Sequence, residues 1–118
     1  MNTLFVEYPK CTTCQKAKKW LTARQVDFED RNISEANPTK EELEKWYKLS
    51  GLPLKKFFNT SGQLYRQMGL KEKLATMTES EMLELLASNG MLVKRPLVVQ
   101  GDCVLVGFKE TEWAERLS

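Results

Sequence analysis

The sequence predicts an α/β fold: a mixed four-stranded sheet with helices packed on it and a helical insertion at about residues 37–92. Three observations predict it. The first 32 residues read strand, helix, strand; the residues after Arg95 read as two short apolar strands and a helix; and the stretch between carries helix-period patterning with no comparable strand signal.

Thr3 to Tyr8 is the first strand, because Leu4, Phe5 and Val6 form the unbroken apolar run of a central strand, and Pro9 stops it. From Cys11 or Thr12 to about Arg24 the period becomes helical, with Thr13, Ala17, Trp20 and Leu21 on one face and Lys16, Lys18 and Lys19 facing outward. Gln25 to Asn32 supplies the second strand, with Val26, Phe28 and Ile33 as inward positions. Thr39 and Glu42 are spaced as a capping box for a helix to about Ser50, whose buried face is Leu43, Trp46 and Tyr47.

Gly51 to Gly69 is broken by Gly51, Pro53, Gly62 and Gly69 and holds short helical turns such as Leu54 to Phe58. Thr78 and Glu81 form a second capping box; Met82, Leu85 and Leu86 mark the inner face of a helix that Gly90 ends. Pro96 opens Leu97 to Gln100, and the Gly101-Asp102 turn joins it to the apolar run Val104 to Gly107 as a hairpin. Glu110 to Leu117 closes the order as a helix with Trp113 and Leu117 turned inward.

A chain of 118 residues with 42% hydrophobic residues is expected to form one domain over residues 1–118 without metal or disulfide staples. Its 18 basic and 16 acidic residues are mixed along the chain, which argues against direct nucleic-acid binding as the main activity. No run approaches the roughly 18 apolar residues of a membrane span, and no secretion signal is expected where the chain goes straight into a strand. Three unevenly spaced cysteines fit a reducing compartment, and the expected location is cytoplasmic. The absence of histidine removes the commonest general base and zinc ligand, so the chemistry must use thiols, carboxylates, amines or guanidinium groups.

Cys11-Thr12-Thr13-Cys14 stands between the first strand and the first helix, the setting in which C-x-x-C reads as a redox pair. The unpartnered N–H groups at a helix start favour a thiolate, so Cys11 is the expected nucleophile, helped weakly by Lys10, Lys16, Lys18 and Lys19. Cys14, one turn on and near the angle of Leu21, is suited to resolve a mixed disulfide at Cys11. A zinc site would have only Cys103 left to add, so no metal and no bound cofactor are expected. Cys103, beside the hairpin turn, is read as a bystander. Pro96 can carry a cis peptide bond beside the thiols, and Arg95 can bind an oxyanion or stabilise the Cys11 thiolate.

Three segments in order, Tyr8-Pro9-Lys10-Cys11-Thr12-Thr13-Cys14-Gln15-Lys16-Ala17, Phe58-Asn59-Thr60-Ser61-Gly62 and Lys94-Arg95-Pro96-Leu97-Val98-Val99, resemble the glutaredoxin-related arsenate reductase (ArsC) family, in its Spx/MgsR branch. The resemblance implies a thioredoxin-like fold with a helical insertion, Cys11 as nucleophile, a Cys11–Cys14 redox disulfide and a cis proline at Pro96. Arg95 completes the expected catalytic set, and Lys10, Thr12, Thr13, Asn59 and Pro96 are the expected substrate-binding residues.

Arsenate reductases of the family surround the oxyanion with three arginines. Arg95 matches one, while Asn59 and Gly107 stand where the other two would be. Each lost charge-assisted donor removes on the order of 1.5 to 3 kcal/mol. The resemblance therefore implies first a thiol-disulfide oxidoreductase served by glutathione, glutaredoxin or thioredoxin. Its second implication is a redox-switched regulator that binds RNA polymerase through the C-terminal domain of the α chain, and its third is a working arsenate reductase. The short stretch after Trp113 tilts the expectation away from the regulator.

Overall fold

A computed structural model describes residues 3–117; residues 1, 2 and 118 of the expected domain lie outside them. The chain runs through β1 (Thr3–Glu7), α1 (Thr12–Ala23), β2 (Glu29–Asn32) and α2 (Lys40–Ser50), then a 3₁₀ turn at Leu54–Phe57. Short helices α3 (Gln63–Gln67) and α4 (Leu70–Lys73) follow, with a 3₁₀ turn at Leu74–Thr76, then α5 (Glu79–Ser88) and a third 3₁₀ turn at Gly90–Leu92. β3 (Leu97–Gln100), β4 (Cys103–Val106) and α6 (Glu110–Arg116) complete it.

The sheet order is β2-β1-β3-β4, with β1 parallel to β2 and antiparallel to β3, and β3 antiparallel to β4. A parallel pair needs a crossover, and α1 is that crossover. This is the mixed sheet and thioredoxin-like arrangement expected above. Side chains alternate across β1 and feed two cores. Phe5 packs with Ala17, Leu21, Val98, Leu105 and Trp113 under α1 and α6, and Val6 packs with Ile33, Leu43, Trp46, Phe57 and Leu86 on the insertion side. Among the described residues no helix is long and apolar enough to cross a membrane.

Both capping boxes form. Thr39 Oγ1 accepts the Glu42 N–H at 3.1 Å while Glu42 Oε1 accepts the Thr39 N–H at 3.0 Å, and Thr78 and Glu81 repeat the exchange at 3.1 and 2.9 Å. Each cap contributes about 1 kcal/mol. Glu42 also takes the Arg31 guanidinium at 2.7 and 2.9 Å, and this pair chiefly holds its carboxyl below the usual range.

Five local expectations need correction. The second strand starts at Glu29 rather than Gln25, because Gln25 adopts φ 60° and the N–H groups of Gln25 and Val26 turn back to the carbonyls of Thr22 and Leu21 at the end of α1. Val26 and Phe28 still pack on the core, Phe28 against Phe5 with ring centres 5.4 Å apart. On α1 it is Cys14, Ala17 and Leu21 that are buried, at i, i+3 and i+7; Thr13 is exposed, and Trp20 is half-buried against Trp113.

On α2, Tyr47 is half-buried, its ring edge-on to Phe57 and its hydroxyl donating to Glu79. The inner face of α5 is Met82, Leu83 and Leu86, with Leu85 half-buried. Nor does Gly90 end α5 by a left-handed turn. The helix stops at Ser88, Asn89 is extended, and Gly90 begins a 3₁₀ turn pressed so closely on β2's exit that a Cβ would lie 2.3 Å from the Ile33 carbonyl oxygen.

Two features of the fold set the functional loops. Phe58 bridges Val93, with the Lys94 N–H on the Phe57 carbonyl at 2.7 Å and the Asn59 N–H on the Leu92 carbonyl at 2.8 Å, which ties the middle segment to the approach to Arg95. On the far side of Pro96, Gly107 (φ 78°) donates its N–H to the Pro96 carbonyl at 2.9 Å, and its own carbonyl accepts the buried Trp113 indole N–H at 3.1 Å.

Candidate active site

Cys11 is the N-cap residue of α1. Its backbone is extended (φ −84°, ψ 120°), its N–H donates to the Tyr8 carbonyl at 2.9 Å, and its carbonyl accepts the Gln15 N–H at 3.0 Å. Its side chain makes no capping hydrogen bond, and no acidic residue stands in the first turn, so the positive end of the helix acts on the Cys11 sulfur without an opposing carboxylate in that turn. Gln15 Nε2 closes the loop on the Pro9 carbonyl at 2.9 Å.

Cys11 is half-buried, whereas Cys14 has no exposed surface. Burial pushes the Cys14 thiol up to about 12, and the neighbouring Cys11 sulfur adds to the rise; the Tyr8 backbone N–H and the charge of Arg95 pull the other way. All three cysteines are free, so the structure shows the dithiol form. Cys103 pairs with Gln100 and, through it, with the Thr3 end of β1, at the opposite end of the sheet from the strand exit that leads to Cys11.

The Arg95-Pro96 bond is cis. The Arg95 guanidinium carbon lies 5.1 Å from the centre of the Tyr8 ring, and its Nη1 donates long bonds to the Met91 and Val93 carbonyls at 3.4 and 3.3 Å. Among the described residues its buried Nε has no hydrogen-bond partner. Asn59 and Arg95 line one cavity of about 360 Å³, so the structure brings these two predicted residues together. Gly62 permits this placement: a Cβ there would come 2.8 Å from Asn59 Nδ2.

Lys10, Thr12 and Thr13 are exposed around the half-buried Cys11, and Pro96 is buried. Lys18 is not a free activating charge, because it pairs with Asp30 at 2.6 Å and with Glu7 at 3.7 Å. Glu7 itself is buried at the exit of β1, and its carboxyl is pushed up to about 7, first by burial and then by hydrogen bonding to Asp30. Asp30 is held below its ordinary value, with Glu7 and Lys18 favouring its charged form.

The residues the sequence reading missed are Glu7, Gln63 and Gln67. A charged residue ending an apolar strand was the available signal for Glu7. For the glutamines it was their i, i+4 spacing just after Asn59 and Gly62, which puts both on one face of α3 and into the Arg95 cavity.

The chain is similar to several known proteins over its whole length. It is 56% identical over 116 residues to the uncharacterized protein YusI of Bacillus subtilis, with 98% of each chain covered. Regulatory protein MgsR of the same organism is 33% identical over 108 residues, covering 92% of this chain and 84% of the relative. Among solved structures, a Bacteroides fragilis protein described as ArsC family related superposes with a TM-score of 0.94 at 59% identity, covering 98% and 97%. The model of the ArsC family matches residues 6–116, and the chain belongs to the ArsC family.

Proposed function

We propose that this protein is a cytoplasmic thiol-disulfide oxidoreductase in which Cys11 is the nucleophile and Cys14 the resolving thiol. One observation carries the reading: two cysteines one helical turn apart divide into an accessible sulfur at the α1 N-cap and a fully buried thiol pushed up to about 12.

The thiolate of Cys11 attacks one sulfur of a substrate disulfide; the Cys11–substrate disulfide forms, and the other sulfur leaves as a thiolate that takes a proton from water. Cys14 then attacks the Cys11 sulfur, its proton passing to the departing substrate sulfur, and a Cys11–Cys14 disulfide remains. Two glutathione molecules, or one dithiol protein such as glutaredoxin or thioredoxin, would return the dithiol and leave as a disulfide. The charge of Arg95 favours the transient thiolate at Cys14.

The test is reduction of a glutathione mixed disulfide by wild type and by Cys11→Ser, followed with a coupled thiol assay. Turnover in wild type and its loss in Cys11→Ser support the reading; no turnover in wild type contradicts it.

The likeness to regulatory protein MgsR favours a second reading. In it the Cys11–Cys14 disulfide toggles affinity for a protein partner, with the α chain of RNA polymerase the first to test, and there is no turnover. Arsenate reduction is the third reading, and it must rely on Arg95 with no arginine at Asn59 or Gly107.

A further inference from the structure

Arg95 is a half-buried cation that no carboxylate holds. Among the described residues it enters no ion pair, its Nη1 bonds to the Met91 and Val93 carbonyls are long at 3.4 and 3.3 Å, and its Nε has no partner. What remains is the ring of Tyr8, whose centre lies 5.1 Å from the guanidinium carbon.

The sequence places the ring there. Tyr8 stands two residues beyond Val6, so it turns to the same side, and it packs half-buried against the insertion-side core. The Phe58–Val93 bridge brings the approach to Arg95 to that side as well. The Tyr8 hydroxyl makes no hydrogen bond among the described residues, so the side chain meets Arg95 through its ring.

How a cation is held decides what its charge can do. A carboxylate would orient Arg95 and neutralise it at the same time. An aromatic face orients the guanidinium through the ring quadrupole and adds no net charge, so the positive charge stays available to a nearby sulfur. That sulfur is Cys14, whose thiolate is favoured by both the Tyr8 N–H and the Arg95 charge. The Tyr8 carbonyl takes the Cys11 N–H at 2.9 Å, which fixes the ring relative to the pair.

We propose that Tyr8 is a positioning residue for the resolving step, its ring holding the Arg95 guanidinium beside Cys14 without cancelling its charge. The inference rests on the oxidoreductase reading and adds to it a side chain that acts through Arg95.

The experiment mixes the reduced full chain with oxidised glutathione at neutral pH and follows the Cys11–glutathione adduct by acid quench and intact mass. It compares wild type, Tyr8→Leu, Tyr8→Phe, Arg95→Met and Tyr8→Leu/Arg95→Met, with Tyr8→Met in place of the leucine variant should that chain prove unfolded. Conversion of the adduct to the Cys11–Cys14 disulfide should slow about fivefold in Tyr8→Leu, and Tyr8→Phe, which keeps the ring, should restore it to within about twofold. In the Arg95→Met background the leucine should cost less than about twofold more, because nothing is left to position. The ring-current displacement of the Arg95 Nε–H resonance, which needs no turnover, should vanish in Tyr8→Leu and persist in Tyr8→Phe. An unchanged rate in Tyr8→Leu, equal slowing by leucine and phenylalanine, or the full loss again on top of Arg95→Met overturns the proposal. Failure of the underlying reading shows separately, as a wild-type chain that forms no Cys11 adduct, and takes the proposal with it.

Discussion

The guanidinium of Arg95 rests over the ring of Tyr8, 5.1 Å from its centre, and this contact joins the loop before Pro96 to the loop before Cys11. Tyr8 serves the thiol pair through its backbone, its carbonyl accepting the Cys11 N–H and its N–H favouring the charged form of Cys14. Arg95 and the two sulfurs are therefore linked through Tyr8.

Replacing Arg95 with methionine removes the cation over Tyr8 and the charge beside Cys14 but keeps an unbranched apolar chain. The attack of Cys14 on a Cys11 mixed disulfide should slow about tenfold, equivalent to roughly 1.4 kcal/mol. Rapid-quench mass analysis of the mixed disulfide reads this directly. Folding stability should change by about 1 kcal/mol or less, since the hydrogen bonds lost are 3.3 and 3.4 Å long.

Cys14 should resist alkylation. With its thiol pushed up to about 12 and no exposed surface, iodoacetamide at pH 8 should modify it two to three orders of magnitude more slowly than an ordinary free cysteine, on the order set by the thiolate fraction. Peptide mapping after timed labelling should find Cys11 modified first and Cys14 only after denaturation.

Glu7 makes stability fall as pH rises. Its carboxyl keeps a proton to about pH 7 in the folded chain but releases it near 4.5 when exposed, so between these values the folded state binds more protons. Its contribution is fully present below 4.5 and lost as pH passes 7. Asp30 works in the opposite sense at lower pH, its charged form favoured by Glu7 and Lys18 and its contribution lost as pH drops through its lowered value. Glu7→Gln should retain the contact with Asp30 and be more stable than wild type at pH 8, by on the order of 1 kcal/mol. Urea unfolding at pH 5, 6, 7 and 8 should show that the wild-type decline is flattened in the variant.

Gly90→Ala should destabilise the fold by about 3 kcal/mol, the upper range for overpacking, because the new Cβ would stand 2.3 Å from the Ile33 carbonyl oxygen, a backbone atom. Gly51→Ala meets nothing within 4 Å and suffers only from its φ of 69°, so it should cost about 1 kcal/mol. Denaturant midpoints of the two variants test the contrast.

The sheet is legible in the sequence because Leu4-Phe5-Val6 and Leu97-Val98-Val99 carry their pattern locally, and the helix starts are legible because Thr39 with Glu42 and Thr78 with Glu81 cap themselves. Gln25 to Phe28 misleads because its apolar residues read as strand where backbone hydrogen bonds close a helix instead. The segment from Gly62 to Thr76 is opaque because its helices are too short to show a period and are held by tertiary packing of Tyr65, Leu70 and Leu74. Cys11, Cys14 and Arg95 can be named from spacing and resemblance. The union of Asn59 with Gln63, Gln67 and Arg95 cannot, since it depends on the Phe58–Val93 bridge between segments far apart in the chain.

The division of labour between the two thiols is tested most directly by intact-mass measurement of Cys14→Ser after incubation with a glutathione mixed disulfide. One covalent adduct that accumulates on Cys11, persists without added thiol, and is absent from Cys11→Ser is the result predicted here. An adduct that clears from Cys14→Ser as fast as from wild type, or that forms on Cys103 alone, would contradict it.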